Sequence, residues 1–233
     1  MTGRLKQFTE AVSNRMGFAR HRCDDFLGLK RLPIRSVIDV GANQGQFARK
    51  ISSVFPEAQI YCFEPLPEPF DKLRHWSDRR RGAVTVFNVA LGDREGAADM
   101  FFHAEHSPSS SLLRSTAACE TLYPFTRNQA TVSVSMTTLD RIFGHPPPLR
   151  PDTLIKLDVQ GFEDRVISGG PQTFRNARAC LVEVSLDVLY EKQAAFKGIV
   201  LLLDNLGYRY AGNTEQICAE DGHVIYLDAL FVK

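Results

Sequence analysis

The stretch Ser36–Ala48, SVIDVGANQGQFA, decides the fold. SVIDVG is a short, β-branched apolar run that ends on glycine, the pattern of a buried strand. From Gln44 to Val54 the apolar positions Phe47, Ala48, Ile51 and Val54 make the stripe of a helix, which Pro56 stops. Gly41 and Gly45 lie in the turn between them, where glycine tolerates a positive φ and lets the backbone approach a ligand. The helix start behind them offers free N–H groups and the positive end of its dipole.

The same pattern repeats outward. AQIYCFE is a second strand, Pro67 to Trp76 a helix with proline in its first turn, and AVTVFNVA a third strand. Such βα units predict an open α/β sheet with parallel strands and right-handed crossovers. After Gly92 the alternation loosens: AADMFFH reads as an extra strand, AEHSPSSSLLRST as a polar loop, and TVSVSMTTLD as another extended segment. TLIKLDV and ARACLVEVS are buried strands, separated by a helix that Gly169 and Gly170 interrupt. Phe196 to Leu206 predicts a helix stopped by Gly207, and GYRYAG with VIYLDALFVK a closing pair of strands.

The chain has 233 residues and a formal net charge of +1, with 44% hydrophobic and 24% charged residues. That composition is globular and argues against disorder, fibrous repeats and a globally basic nucleic-acid binder. No apolar run approaches the length of a membrane span, and the N-terminus lacks a secretory pattern. Five scattered cysteines without a CxxC pair fit a reducing cytoplasm, with Cys62 and Cys180 reading as core residues. Charge is uneven: residues 1–35 hold eight basic and three acidic residues. Leu5, Phe8, Val12, Met16 and Ala19 predict an amphipathic helix there, ending near Gly28. The expected organisation is an N-terminal helical extension over 1–35 and one domain over 36–233. The extension would pack on the domain or on a second subunit, giving a homodimer, or dock on an anionic partner or membrane surface.

The chemistry concentrates at strand ends. Asp39 precedes Gly41, and Glu64-Pro65 follows about twenty residues on, where a carboxylate can accept both hydroxyls of a ribose. A dinucleotide fingerprint needs glycine where Asn43 stands and again where Gln46 stands. A carboxylate at Asp39 would also repel a pyrophosphate. S-adenosylmethionine carries an ammonium, a sulfonium and a ribose but no phosphate, so Asp39 and Glu64 suit it. The plainer reading is a tight turn and a solvated strand end.

VIDVGANQGQFA, YCFEP, NVALGD, the SSSLL loop, TTLD, LIKLDVQGFEDRVISGG and LVEVS follow one another over about residues 36–190. In this order they resemble the FkbM-type family of class I S-adenosylmethionine-dependent methyltransferases. The resemblance implies a Rossmann-like, mostly parallel seven-stranded sheet flanked by helices, with a β-rich insertion. It implies that Asp39, Gly41, Asn43 and Gly45 form the methionine-side loop and that Glu64, followed by Pro65, holds the ribose. Asn88 would lie by the adenine, with Val89 and Ala90 lining its pocket, and Asp158 beside the transferred methyl. Lys156 could pair with Asp158; Glu163 and Glu183 are further acids that could overlook the site.

Methyl transfer to oxygen needs a positioned nucleophile and a route for its proton. Asp158, His103 and His106 are the base candidates, the histidines on a loop that could close as a lid. A divalent metal is the other route; Asp158, Glu163 and Glu183 could furnish hard oxygen ligands for Mg²⁺, without a recognised spacing. The expected activity is O-methyl transfer to a sugar, glycolipid or secondary-metabolite hydroxyl. The alternatives are a non-catalytic cofactor-binding or scaffold protein, and a nicotinamide-dependent oxidoreductase. Specificity is expected from residues 93–137 and the N-terminal helix.

Overall fold

The computed structural model describes residues 19–22, 26–80, 82–144, 149 and 152–233. A short strand, β1 (Ala19–Arg22), precedes a 3-10 turn at Phe26–Arg31. Then come β2 (Ser36–Val40), α1 (Gln46–Val54), β3 (Gln59–Phe63), α2 (Pro67–Ser77) and β4 (Val84–Phe87). The insertion contributes β5 (Ala90–Leu91), β6 (Gly96–His103), α3 (Ala117–Leu122) and β7 (Gln129–Thr137). After α4 (Leu139–Phe143) the chain returns through β8 (Thr153–Leu157), α5 (Glu163–Ser168), α6 (Pro171–Asn176) and β9 (Ala179–Ser185). It ends with α7 (Phe196–Asp204), β10 (Arg209–Cys218) and β11 (Val224–Val232).

The main sheet runs β1-β10-β11-β9-β8-β2-β3-β4. The run from β9 to β4 is parallel, and β11, β10 and β1 are antiparallel additions. The chain builds outward from β2 through β3 to β4, then restarts on the other side of β2 at β8. Strand order therefore reverses between β2 and β8, and their connections leave in opposite directions. In such sheets this switch point opens a crevice at the carboxyl ends of the strands.

Every residue of β2 and β8 is buried, because helices cover both faces. One face packs Ile38, Val40, Ile155, Val182, Ile199 and Phe231; the other packs Val37, Ile51, Ile60, Cys62, Leu154 and Leu181. Truncating a fully buried residue such as Ile51 to alanine costs about 2–5 kcal/mol. Cys62 and Cys180 are core residues, as expected.

A second sheet, β5-β7-β6, stands over Leu66, Ala90, Met100, Val134 and Met136. The expected third strand, AVTVFNVA, is thus divided: β4 belongs to the main sheet and β5 to the insertion. TVSVSMTTLD is extended only to Thr137; Thr138 Oγ1 accepts from Arg141 N (3.1 Å) and caps α4. The interruption at Gly169-Gly170 has a contact reason: a Cβ on Gly169 would lie 1.9 Å from the Gly92 carbonyl oxygen. The GG pair thus lets the α5–α6 turn rest on the NVALGD turn.

The N-terminal expectation needs correction where it is described. No helix runs on to Gly28: Ala19–Arg22 is a strand paired antiparallel with β10, and Phe26–Arg31 is a 3-10 turn kinked at Leu27 and Gly28. Pairing with the open edge of β10 wins over the helical spacing. It brings the main sheet to eight strands rather than seven. The helix and the dimer, docking and membrane roles expected of residues 1–18 lie outside the described residues. Among the described residues no helix is long and apolar enough to cross a membrane.

Candidate active site

Two loops touch at the switch point. Gly41 follows β2 with φ +77°, and a Cβ there would stand 1.9 Å from the Asp158 carbonyl oxygen just after β8. Left-handed backbone and close approach together require glycine. Asn43 is also left-handed, at φ 47°, a conformation asparagine tolerates. The turn aims the Asn43 N–H at Glu64, donating to Oε2 at 2.9 Å. Gly45, at φ +85°, caps α1, and a Cβ there would meet Leu73 at 2.8 Å. It thereby seats α1 against α2.

Glu64 stands just past β3, 3% exposed. Its Oε1 accepts from Leu66 N at 2.8 Å. Burial pushes its carboxyl up to about 7, with the Leu66 and Asn43 amides pulling the other way. Each oxygen takes one backbone amide and retains another lone-pair direction for a hydroxyl.

Asp39 is fully buried, and neither carboxylate oxygen has a hydrogen-bond partner among the described residues. Its counter-charge is Lys156 Nζ, 3.9 Å away on the neighbouring strand. Burial raises the Asp39 carboxyl to about 6, against the Lys156 charge. Lys156 is only 9% exposed and also donates to Asp158 Oδ2 at 2.6 Å. Burial lowers its proton affinity, but Asp158 and Asp39 reverse that, so the ammonium titrates above its ordinary value.

A cavity of about 340 Å³ opens over these strand ends. Its lining includes Gly41, Asn43, Glu64 and Pro65 after β2 and β3, the apolar Val89 and Ala90, and Lys156 and Asp158 at the end of β8. Asp39 and Gly45 stand behind this lining. Asn88 is exposed, and its Nδ2 donates to the carbonyls of Glu64 (2.9 Å) and Pro65 (3.0 Å). Its position shapes the chain under Glu64 rather than facing the cavity.

Ser107, Pro108, Ser110 and Leu112 of the polar loop line the cavity from above. Asn43 Nδ2 donates to Ser107 Oγ at 3.1 Å, and Ser111 exchanges backbone hydrogen bonds with Phe101 (2.8 and 3.1 Å). The two candidate histidines lie off the lining. His106 packs against Phe125, with ring centroids 4.7 Å apart, and its Nδ1 meets Ser109 Oγ at 2.8 Å. His103 is not on a loop as expected: it ends β6, opposite Gln129 of β7, and is 1% exposed. Burial holds both rings below the ordinary histidine value.

Beyond Asp158 the floor becomes acidic. Glu183 is paired with Asp228 across β9–β11, and Asp228 with Glu215 across β11–β10. In-register neighbours share a face, so these acids form a row continuing from Asp158. Burial raises the Asp228 carboxyl to about 7 and Glu183 well above its ordinary value. Gln160, with φ 56°, joins the row: its Nε2 donates to Asp158 Oδ1 (2.8 Å) and Glu183 Oε1 (2.6 Å). Glu163 points the other way. Its Oε1 accepts from the amides of Val159 (3.2 Å) and Gly161 (3.1 Å), which holds the loop carrying Asp158 and Gln160. Burial pushes it up to about 7. Among the described residues no group of three His, Cys, Asp or Glu is arranged to hold a metal ion. The Mg²⁺ expectation for Asp158, Glu163 and Glu183 therefore finds no support.

Gln160, Tyr190, Asp228 and Ser107 were not singled out by sequence. Gln160 lay inside the family block, and Asp228 is a lone acid within an apolar strand, which was a readable signal. Tyr190 and Ser107 carried none, since a tyrosine and a loop serine are ordinary in their settings.

A family model described as the methyltransferase FkbM domain matches residues 39–210. The 2-O-methyltransferase NoeI of Sinorhizobium fredii is 31% identical over 211 residues, covering 86% of this chain and 83% of the relative. The hexuronic acid methyltransferase AglP of Haloferax volcanii is 27% identical over 150 residues, covering 64% of this chain and 56% of that one. The 31-O-demethyl-FK506 methyltransferase FkbM of Streptomyces tacrolimicus is 34% identical over 97 residues, covering 42% and 37%.

Proposed function

The chain belongs to the FkbM methyltransferase family and is an S-adenosylmethionine-dependent methyltransferase, and on that premise we propose that it methylates a hydroxyl of a sugar, glycolipid or secondary metabolite in this cavity. The observation that carries the reading is the pair of buried carboxylates, Asp39 and Glu64, around a loop whose Gly41 passes against the Asp158 backbone. Such a site suits a cationic nucleoside without phosphates. A pyrophosphate would face buried negative charge, so the nicotinamide alternative is not retained.

When bound, S-adenosylmethionine supplies a methyl group activated by its sulfonium. Glu64 would accept the two ribose hydroxyls while the Asn43 and Leu66 amides hold it in place. Val89 and Ala90 would give the base an apolar wall. Asp39 supports the site from below, by holding the Lys156 ammonium that in turn orients Asp158. The loop over Ser107–Leu112 would exclude water from above. The acceptor side is furnished by Glu183, Asp228 and Glu215, whose oxygens suit hydroxyl donors and disfavour anions. The hexuronic acid in the name of AglP favours a sugar among the three acceptor classes, and the 2-O-methyl transfer in the name of NoeI favours an oxygen acceptor. The scattered cysteines favour a cytoplasmic location.

Calorimetry with S-adenosylhomocysteine tests the cofactor half: micromolar binding is expected, and its absence would sink the reading. A panel of p-nitrophenyl glycosides, followed by S-adenosylhomocysteine release, tests the acceptor half. Release only with amine acceptors would replace the hydroxyl assignment.

A further inference from the structure

A single hydroxyl proton, shared between two acceptors, links the covering loop to the acidic floor. The Tyr190 hydroxyl lies 2.9 Å from the Ser109 carbonyl oxygen and 2.8 Å from Gln160 Oε1. Tyr190 is 2% exposed, so its hydroxyl has little recourse to water. Gln160 uses its other end on two carboxylates, Asp158 at 2.8 Å and Glu183 at 2.6 Å. Its backbone is held at φ 56°, and the adjoining Gly161, at φ +97°, packs where a Cβ would meet Gln193 at 2.8 Å. Such a conformation is uncommon for a side-chain-bearing residue and costs strain that its surroundings must offset.

The two carboxylates differ in what else holds them. Asp158 has the Lys156 ammonium at 2.6 Å. Glu183 has the Gln160 amide as its donor, while Asp158, Asp228 and Glu163 around it disfavour a second negative charge and Lys156 favours it. A carboxylate tied to an ammonium is a poor proton acceptor; one crowded by other carboxylates is a better one.

We propose that Glu183 receives the proton of the acceptor hydroxyl, and that Gln160 is the positioning residue that aims it and couples it through Tyr190 to the loop at Ser109. This rests on the methyl-transfer reading above. In the step, the acceptor O–H bond breaks and its proton passes to a Glu183 oxygen. The acceptor oxygen bonds to the methyl carbon as the methyl–sulfur bond breaks, and that electron pair stays on sulfur. The Ser109 carbonyl and Gln160 Oε1 share the one Tyr190 proton, so the loop and the floor draw on a common donor.

The test uses the full chain with Gln160→Gly, Gln160→Glu, Tyr190→Phe and Glu183→Gln. Glycine is the truncation of choice at φ 56° because it leaves the backbone unstrained. S-adenosylhomocysteine should bind all four within a few-fold of the parent. Failure of the parent itself to bind would strike the cofactor reading and not this link between loop and floor. Hydrogen exchange over residues 107–112 should quicken about tenfold in Tyr190→Phe, the loss expected for one hydrogen bond, and should not quicken in Gln160→Gly, which leaves the Tyr190 proton to Ser109 alone. Infrared titration of the protonated carboxyl band, assigned by its loss in Glu183→Gln, should show Glu183 deprotonating about one pH unit higher in Gln160→Gly. Gln160→Glu keeps an acceptor for Tyr190 but replaces the Nε2 donor to Asp158 and Glu183 with a carboxylate, so Glu183 should deprotonate at a higher pH there too. Unchanged loop exchange in Tyr190→Phe, an unmoved Glu183 titration in Gln160→Gly, or parent-like turnover in Glu183→Gln would overturn the proposal.

Discussion

The two halves of the cavity are built from different materials. On the side proposed for the cofactor, the Asn43 and Leu66 amides grip Glu64, and glycine geometry brings Gly41 against Asp158. On the side proposed for the acceptor, side chains hold side chains: Lys156 and Gln160 on Asp158, Gln160 on Glu183, Tyr190 on Gln160. The first kind of construction follows from a local turn and tolerates no added bulk. The second follows from which strands lie side by side, and can be retuned one side chain at a time.

The largest effect should come from breaking the backbone half. Gly41→Ala places a methyl 1.9 Å from a carbonyl oxygen, so the two loops must part. S-adenosylhomocysteine affinity is expected to fall ~100-fold or more, measured by calorimetry. Parent-like affinity would mean that the loops do not form one surface. Glu64→Gln retains the shape but loses charge and half of the acceptor capacity, and should weaken the same binding about 10- to 50-fold.

The pH dependence sharpens the same contrast. At pH 8 Glu64 and Asp39 are ionised. As pH falls through about 7 and then about 6 they take up protons. Affinity for S-adenosylhomocysteine should therefore drop about tenfold between pH 8 and pH 5.5, and Glu64→Gln should lose the upper part of that fall. A midpoint near 4.5 in the parent would contradict the buried setting of Glu64.

Glu163 tests stability rather than binding. Its carboxyl titrates at about 7 in the fold and near 4.5 when unfolded. Between those values the folded chain holds a proton that the unfolded chain has lost, so stability falls as pH rises through this window and levels off above it. Glu163→Gln keeps an acceptor for the Val159 and Gly161 amides and lacks the titration. Its stability relative to the parent should rise from pH 4.5 to 7 by about 1–3 kcal/mol, read from denaturant midpoints. The smallest change is expected from Asn88→Ala, which removes two exposed donations to the Glu64 and Pro65 carbonyls. A loss of about 0.5–1 kcal/mol in stability, with binding weakened two- to threefold, would mark Asn88 as a support. A large loss of binding with unchanged stability would mark it as a ligand.

Legibility tracks these two materials. Gly41, Asn43, Gly45 and Glu64 were readable because a strand–turn–helix of fixed length places them, and backbone geometry and backbone amides hold them there. Asn88 was readable as a strand-end residue, but its orientation depends on where β4 hands over to β5, a division that no local pattern announces. The histidines illustrate the opposite error. A loop position suggested a mobile base, yet His106 is anchored by Phe125 and Ser109 and stands outside the lining. Similarly, the apolar spacing that predicted one long N-terminal helix is overruled at Ala19–Arg22 by pairing with β10. A strand edge some 200 residues away is invisible to a local window.

What the amino-acid order determined by itself is the α/β alternation, the glycine-shaped turn after β2, and the carboxylate after β3. Each is set by hydrophobic periodicity or by φ preferences within a few residues. Tertiary structure alone decided that Asp158, Glu183, Asp228 and Glu215 share one floor, and that Tyr190 reaches Gln160 beneath the loop at Ser109. Those neighbours are fixed by sheet register and crossover order, which are collective properties of the folded chain.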